Sequence, residues 1–424
     1  MKRNRILHCL VLCLLTVLLL VALHISGNAG EALERPVSIY IATDLHYIAP
    51  ELMGNGAYFR EPTPQMDGKV VHFAPEITDA FLATVLKDKP DVLILSGDLT
   101  LNGAVLSMTR LAEKLERVQQ AGIQVLTMAG NHDVDGTAGS YAGDEIQLVE
   151  AATSEQYKAL YSKFGADQAV SRDPYGTSYL YQVTPKLQIL MLDTNCYGKG
   201  FVKDDTLAWL ETELKRAEAA GVKTISVSHQ NIYAHNERLS FGYQLYNATV
   251  LEALFAKYDV RCNFSGHIHV QSIHRGVVTE IATSSLTVSP LQYGKVLYDG
   301  QRLQYRAQVT DVQPIIDLSG RLHPELEQRS FAEYAQYYFE EVARRQVRQA
   351  YAESGKTQAE IELLAETFAG INAAYFAGSN QDALMWQTGM ELWRKEPGNF
   401  FLAYIETMLK AMEQENRQVA VDLW

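Results

Sequence analysis

The sequence predicts an α/β protein that continues into a helical region at its C-terminal end. Up to about Gly320, short and nearly all-apolar runs alternate with amphipathic helical patterns. Such runs are typical of strands that are buried on both faces of a sheet. Beyond Gly320, apolar residues recur at helical spacing, and no low-complexity linker separates the two parts. We therefore expect the two parts to pack together.

Six predicted strands each end at a polar or glycine-containing segment. They cover residues 37–41, 92–95, 125–128, 189–192, 224–227 and 262–265. Helical patterns lie between several of them, at 78–86, 106–120 and 205–219. Alternating runs from Gly276 to Thr310 enclose a Tyr-Asp-Gly turn at 298–300, which indicates a hairpin. Since ligands bind beyond the carboxyl ends of strands in α/β sheets, the polar segments after the strands are the expected site.

Three amphipathic stretches follow Gly320, and they predict three or four helices. Their apolar residues include Phe331, Tyr334, Tyr338, Val342, Ile361, Leu364, Phe368, Ile371, Tyr375, Phe401, Tyr404, Ile405, Met408 and Met412. The spacing places these side chains on one face of each helix, where a core is their ordinary use. We expect an α/β domain over residues 30–320 and an all-α domain over residues 321–424.

The N-terminal end predicts export from the cytoplasm. Lys2, Arg3 and Arg5 precede a charge-free stretch over residues 6–25, which is long enough to cross a bilayer as a helix. Small residues at 27–29 also suit a cleavage site. Residues 1–29 are thus either a signal peptide or an N-terminal membrane anchor. In both cases the rest of the protein is expected outside the cytoplasm, secreted or anchored to the outer face of the cell membrane.

Composition excludes several classes of protein. The 424 residues are 47% hydrophobic and 21% charged, which is ordinary for a packed protein and unlike a disordered chain. The net charge of -13 argues against a surface that binds a nucleic-acid polymer through its phosphates. It does not exclude a small phosphate ester as the partner, because bound cations would reverse the local field.

Carboxylate, imidazole and amide side chains follow the predicted strands in a fixed order. The segments are Asp44-Leu45-His46, Gly97-Asp98, Gly130-Asn131-His132-Asp133, His229 and Gly266-His267-Ile268-His269. These ligand types suit Mn, Fe(II) or Zn, and the glycines permit tight turns and close backbone approach. Asp98 has two oxygens and is a candidate bridge between two ions. Two ions a few ångströms apart can stabilise both the attacking and the leaving oxygen of a phosphoryl transfer.

This ordered set resembles the calcineurin-like metallophosphoesterase superfamily over residues 37–310. The resemblance implies a four-layer sandwich of two mixed β-sheets flanked by helices, and two divalent metal ions with a bridging hydroxide as nucleophile. The implied metal ligands are Asp44, His46, Asp98 and His269 for one ion, and Asp98, Asn131, His229 and His267 for the other. His132 would act as general acid or as a donor to the phosphoryl oxygens. Asp133 would orient His132 by accepting its second N–H.

Departures from other branches narrow the resemblance. Asp133 stands where protein phosphatases of the superfamily carry Glu, and Leu101 stands where purple acid phosphatases carry a Tyr ligand. The remaining pattern resembles bacterial class III cyclic-nucleotide phosphodiesterases with a helical C-terminal domain. His229 is followed by Gln230, whereas many members of that branch have two adjacent histidines there. Asn102, after the Asp98 turn, and His235, in the loop beyond His229, are predicted substrate contacts.

The main hypothesis is therefore a dimetal phosphodiesterase, with a 3′,5′-cyclic nucleotide as the favoured substrate. Nucleotides, phospholipid head groups and wall-polymer phosphodiesters stay open as alternatives for an extracytoplasmic enzyme. The alternative from another class is a non-catalytic, metal-bound surface binding module. The role of the helical domain, either dimerisation or shaping of the pocket, is also left open by the sequence.

Overall fold

The computed structural model describes residues 35–424, except 55–56, 63–66, 144, 196–199, 320–322 and 381–382. The predicted signal or anchor over residues 1–29 lies outside the described residues, so export and membrane association stay predictions. Among the described residues, no helix is long and apolar enough to cross a membrane.

Strands and helices alternate through most of the described chain. In chain order the strands are β1 (Val37–Ala42), β2 (Val92–Ser96), β3 (Gln124–Met128), β4 (Ala138–Ser140), β5 (Gln147–Val149), β6 (Ser171–Arg172), β7 (Tyr179–Thr184), β8 (Leu187–Leu192), β9 (Lys223–Ser228), β10 (Cys262–Ser265), β11 (Ser272–Arg275), β12 (Thr279–Ala282), β13 (Gln292–Tyr298), β14 (Arg302–Val309) and β15 (Gln418–Asp422). The α-helices are α1 (Ala57–Arg60), α2 (Ala74–Asp88), α3 (Val105–Gln120), α4 (Ser154–Tyr161), α5 (Asp204–Ala220), α6 (Ala248–Lys257), α7 (Gln313–Ser319), α8 (Phe331–Tyr351), α9 (Gln358–Phe376), α10 (Gln387–Trp393) and α11 (Phe400–Met412). All six strands and all three helices predicted before Gly320 are present.

Two mixed sheets carry the site. The first has the order β15-β14-β13-β1-β2-β3, and the second has the order β11-β12-β10-β9-β8-β7-β6. Within the first, β1, β2 and β3 are parallel neighbours. Within the second, β8, β9 and β10 are parallel neighbours. The predicted hairpin joins β13 and β14.

The two sheets pack face to face between two helical layers. Because side chains alternate along a strand, Ile39 and Ile41 enter the core between the sheets, while Tyr40 and Ala42 face α2 and α3. On the outer face of the second sheet, α5 and α6 pack against β8 through a separate apolar cluster. This arrangement confirms the predicted four-layer sandwich.

The helical C-terminal region is also confirmed, with four main helices over α8 to α11. Ser330 and Thr357 begin α8 and α9 with capping boxes, in which the side chain accepts the N–H of a residue three positions later. The N-terminal half of α8 packs on the outer layer of the first sheet, and its C-terminal half packs on α9 to α11. The region is therefore continuous with the core of the α/β part.

The end of the chain differs from the prediction of an all-α region over residues 321–424. After α11 the chain forms β15, which pairs antiparallel with β14 at the edge of the first sheet. Val421 and Leu423 are buried in the core between the sheets. A five-residue alternation is too short to distinguish from a helix end, and only the free edge of β14 makes it a strand.

Candidate metal centre

The predicted metal ligands meet where the carboxyl ends of the two sets of parallel strands converge. Asp44 and His46 follow β1, Asp98 follows β2, and Asn131 follows β3. His229 follows β9 in the second sheet, and His267 and His269 follow β10. Neighbouring parallel strands end at the same edge of a sheet, so the topology brings all seven residues together.

One group consists of Asp44, His46 and His269. The Nε2 atoms of His46 and His269 are 3.2 Å apart, and Asp44 Oδ1 is 3.2 Å from His269 Nε2 and 3.9 Å from His46 Nε2. Asp44 and His46 are fully buried. Two imidazole nitrogens and a carboxylate oxygen thus converge on one small volume.

The second group consists of Asp98, His229 and His267, with Asn131 beside them. His229 Nε2 is 3.3 Å from Asp98 Oδ1 and 3.0 Å from Asn131 Oδ1. The rings of His229 and His267 lie 5.0 Å apart. Candidate ligand atoms of Asp98, His229 and His267 all lie within 4.8 Å of one another.

Both donor sets fit a divalent metal ion. With metal–nitrogen and metal–oxygen bonds of about 2.0–2.2 Å, neighbouring donors lie roughly 3 Å apart, as they do in both groups. The second nitrogens of two histidines are already engaged: His229 Nδ1 contacts the Ser96 carbonyl oxygen at 3.0 Å, and His267 Nε2 contacts the Gly242 carbonyl oxygen at 2.8 Å. Such contacts fix the tautomer and leave the other nitrogen free to bind an ion. Two such sites and the fold imply two divalent metal ions.

Strained backbone marks the same residues. Asp44, His46, Asp98, His267 and His269 all have positive φ angles, between 43° and 67°. This left-handed region is uncommon for residues with a side chain, and such strain clusters at functional sites.

Close packing of the loops explains two of the glycines. A Cβ on Gly130 would lie 2.1 Å from Asp98 Oδ1, and one on Gly266 would lie 2.6 Å from Asp44 Oδ2. Only glycine allows the loops to approach the two carboxylates so closely.

Electrostatics prepare the carboxylates to hold cations. Burial alone would raise the pKa of Asp44 and of Asp98, but nearby imidazoles hold both pKa values well below the ordinary range. Burial and the charge of His229 lower the pKa of His267 to about 4. Burial opposes charge on His229, yet the Asp98 carboxylate raises its pKa to about 9. Binding of a metal ion by His229 would displace this proton.

His132 stands at the edge of both groups. Its backbone N–H donates to Asp98 Oδ1 at 2.8 Å, its Nδ1 contacts the Leu101 carbonyl oxygen at 3.0 Å, and its Nε2 lies 3.9 Å from Asp98 Oδ2. The side chain is 42% exposed, so it can reach a bound substrate. This placement agrees with a proton donor, although its role stays a prediction.

The expected role of Asp133 is wrong. Its buried carboxylate accepts the backbone N–H groups of Leu99, Thr100 and Gly130 and the Thr100 hydroxyl. His132 instead uses the Leu101 carbonyl as the partner of its Nδ1. Backbone amides of two loops thus take both carboxylate oxygens, so Asp133 shapes the loops and does not orient His132.

The predicted substrate contacts lie elsewhere. Asn102 Nδ2 donates to the Gly139 carbonyl at 3.0 Å. The His235 side chain is fully buried, with Nδ1 2.9 Å from Ser272 Oγ and Nε2 3.3 Å from Glu280 Oε2. Neither residue lines the cleft over the metal centre. Proximity in sequence to Asp98 and His229 does not bring either side chain to that cleft, because each is held by its own hydrogen bonds.

A cleft of about 590 Å³ opens over the metal centre. Asp98, His132, His267 and His269 line it. Residues of the C-terminal helices α8, α9 and α11 line the same cleft. The helical region thus shapes the pocket, one of the two roles that the sequence left open. The sequence predicts Val342, Phe368 and Tyr404 in a helical core, yet all three line the cleft. Their helical spacing carries no signal that distinguishes a core from a pocket lining.

The fold and the paired sites define a metallophosphoesterase. A family model described as calcineurin-like phosphoesterase matches residues 37–271. The chain therefore belongs to the calcineurin-like phosphoesterase family. This membership supports the assignment of the protein as a phosphoester hydrolase. A second model, described as the C-terminal domain of cyclic nucleotide phosphodiesterase, matches residues 321–415.

Solved structures with a similar fold include two phosphatases. A dimetal phosphatase from Danio rerio is 11% identical, with 66% of this chain and 98% of that chain covered and a TM-score of 0.45. A purple acid phosphatase from yellow lupin (Lupinus luteus) seeds is 13% identical, with 70% and 53% covered and a TM-score of 0.42. Comparison with curated protein sequences gave no match. The assignment therefore rests on the family models.

Proposed function

We propose that the protein is a dimetal phosphodiesterase whose substrate is a 3′,5′-cyclic nucleotide. The observation that carries the proposal is the pair of adjacent donor groups around Asp44 and Asp98, with His132 beside them, at one cleft. The match of residues 321–415 to the C-terminal domain of cyclic nucleotide phosphodiesterase supports the substrate. Residues of this matched region also line the cleft.

The chain's own residues divide the work between binding and proton transfer. When bound, two divalent ions supply Lewis acidity and a nucleophile from water at neutral pH. Asp44, His46, Asp98 and His269 would hold one ion, and Asp98, Asn131, His229 and His267 would hold the other. The Nδ1–H of His132 donates to the Leu101 carbonyl, which leaves Nε2 for the substrate; in the imidazolium form, Nε2–H would donate to a phosphoryl oxygen or give its proton to the leaving alkoxide.

Replacement of a ligand tests the proposal. Asn131→Ala and His267→Ala should each lower Mn-dependent hydrolysis of bis-p-nitrophenyl phosphate and of 3′,5′-cyclic AMP by a factor of about 100 or more, because one ion loses a donor. Metal content is measured on the same samples. His274→Ala is the matched control, because His274 stacks on Tyr233 and does not line the cleft.

Retained activity in both ligand variants would contradict the two-metal site. A folded wild-type protein that binds Mn, Fe or Zn but hydrolyses no phosphodiester would instead favour the metal-bound binding module. Faster hydrolysis of glycerophosphocholine or a mononucleotide than of cyclic nucleotides would replace the proposed substrate and leave the chemistry intact.

A further inference from the structure

Two polar side chains of the C-terminal helices line the cleft and have no hydrogen-bond partner among the described residues. Asn372 in α9 is 9% exposed, lines the cleft, and has no hydrogen-bond partner for its side chain among the described residues. Its amide is open to the cleft and has no competing partner among those residues, so its donor and acceptor are both available to a ligand. A ligand in the cleft would complete its hydrogen bonds.

Tyr404 in α11 has the same character. It is 8% exposed and lines the cleft, and its hydroxyl has no partner in the part of the chain that the structure describes. The hydroxyl of a buried tyrosine ordinarily finds a hydrogen bond. Asn372 and Tyr404 come from different helices, so their unpartnered groups are independent observations at one cleft.

Aromatic faces lie beside these polar groups. Phe400 is 58% exposed, although it begins an amphipathic helix, and it stacks on Tyr404 with ring centroids 6.0 Å apart and an interplanar angle of 21°. Phe401 also lines the cleft. Flat aromatic faces favour planar ring ligands, and an asparagine amide matches the donor and acceptor pattern of adenine.

We infer that Asn372, Tyr404 and Phe400 form the specificity site for the organic part of the substrate, and that this part is a purine base. The inference rests on the proposed function and deepens it. The metal centre holds the phosphodiester, and the C-terminal helices hold the base. The helical region is therefore part of the substrate site.

Binding of two ligands that differ only in the base tests the inference. The Mn-loaded full-length protein is titrated with 5′-AMP and with ribose 5-phosphate by calorimetry. Asn372→Leu should weaken the binding of 5′-AMP about tenfold, because the base loses a hydrogen bond. The affinity for ribose 5-phosphate, which has no base, should stay unchanged. Phe400→Ala should act in the same way through lost stacking. Tyr404→Phe removes only the hydroxyl and keeps the ring, and it should also weaken the binding of 5′-AMP. This variant tests the inference if Asn372→Leu does not fold.

Kinetics give a second readout. Each variant should raise KM for 3′,5′-cyclic AMP about tenfold, with hydrolysis of methyl p-nitrophenyl phosphate, which has no base, within about twofold of wild type. Tyr337→Phe is the matched control, because Tyr337 is 40% exposed on α8 and does not line the cleft. Equal losses on both substrates, or unchanged 5′-AMP binding in all three variants, would overturn the inference.

The two proposals fail separately. If the wild type hydrolyses neither 3′,5′-cyclic AMP nor methyl p-nitrophenyl phosphate, the proposed function fails. The titrations with 5′-AMP still decide whether the base site exists. A different outcome is that the wild type hydrolyses glycerophosphocholine faster than cyclic nucleotides, with Asn372→Leu leaving that rate unchanged. The inferred purine specificity would then be wrong, and the proposed phosphodiesterase activity would still hold.

Discussion

Asp133 shows how a residue beside the metal centre contributes without contacting it. Its carboxylate joins the loop after β2, through Leu99 and Thr100, to the loop after β3, through Gly130. Burial and the charge of Asp98 raise the pKa of Asp133 to about 6, although the backbone amides oppose this shift. The two loops carry Asp98 and Asn131, so Asp133 sets the distance between two predicted ligands.

Asp133→Asn should destabilise the protein by about 2 kcal/mol, because an NH₂ group then faces backbone N–H donors. Urea unfolding measures this change, with exposed Asp205→Asn expected within about 0.5 kcal/mol of wild type. Activity should fall, yet the pH at which kcat/KM is maximal should not move, because Asp133 does not contact His132. A shifted pH optimum would restore the role first expected for Asp133.

At the scale of elements, the last strand completes a sheet that the rest of the chain leaves open. Five Cα pairs join β15 to β14, from Arg302 with Asp422 to Arg306 with Gln418. Leu423, just beyond β15, is 1% exposed in the core between the sheets. Two strands, β14 and β13, lie between β15 and β1, the strand that Asp44 and His46 follow. A substitution in or beside β15 should therefore lower the stability of the protein without lowering its catalytic activity.

Leu423→Ala should lower the free energy of unfolding by about 3 kcal/mol, since it leaves a cavity between the sheets. Hydrolysis of bis-p-nitrophenyl phosphate at 25 °C should stay within about twofold of wild type. Gln418→Ala, at an exposed position of the same strand, is the control and should change stability by less than about 0.5 kcal/mol. A loss of activity in Leu423→Ala that exceeds its unfolded fraction would contradict this separation.

At the scale of the whole molecule, the helical region and the α/β part share one core. His72, in the segment before α2, has its Nε2 2.8 Å from the Tyr334 hydroxyl in α8. Phe73 packs on Phe331 and Tyr334 in the same helix. Since both parts line the cleft, the junction holds the substrate site together.

Acid should weaken this junction. Burial, with the charges of Arg60 and His323, lowers the pKa of His72 to about 3. A histidine with a depressed pKa in the folded state contributes stability that is present above its unfolded pKa of about 6.5 and is lost as the pH falls towards 3. The loss from this residue at pH 5 should be about 2 kcal/mol.

Urea unfolding at pH 7.5 and pH 5 measures the effect. His72→Gln keeps a donor near the Nε2 position and cannot titrate, so its stability should change less between the two pH values than that of wild type. Tyr334→Phe, which retains His72, is the control and should keep the acid sensitivity. An identical pH dependence in wild type and His72→Gln would contradict the assignment.

Local pattern was sufficient for much of the fold and for the choice of site residues. Apolar runs such as 92–95 predicted strands because burial on both faces demands apolar side chains. The Gly-Asn-His-Asp segment at 130–133 and the Gly-His-x-His segment at 266–269 identified the donors from chemistry and chain order. The roles of Asp133 and His235 could not be predicted in this way, because a side chain's partners depend on which loops lie opposite it.

The sequence by itself determined the α/β class, the helical C-terminal region and the donor residues, because these follow from periodicity and side-chain chemistry. Only the tertiary structure decided that β15 returns to the first sheet and that Asp133 joins two loops. It also decided that Asn372 and Tyr404, two residues of the helical region, line the same cleft as Asp98 and His132. Those outcomes depend on contacts between residues far apart in the chain, which local pattern does not encode.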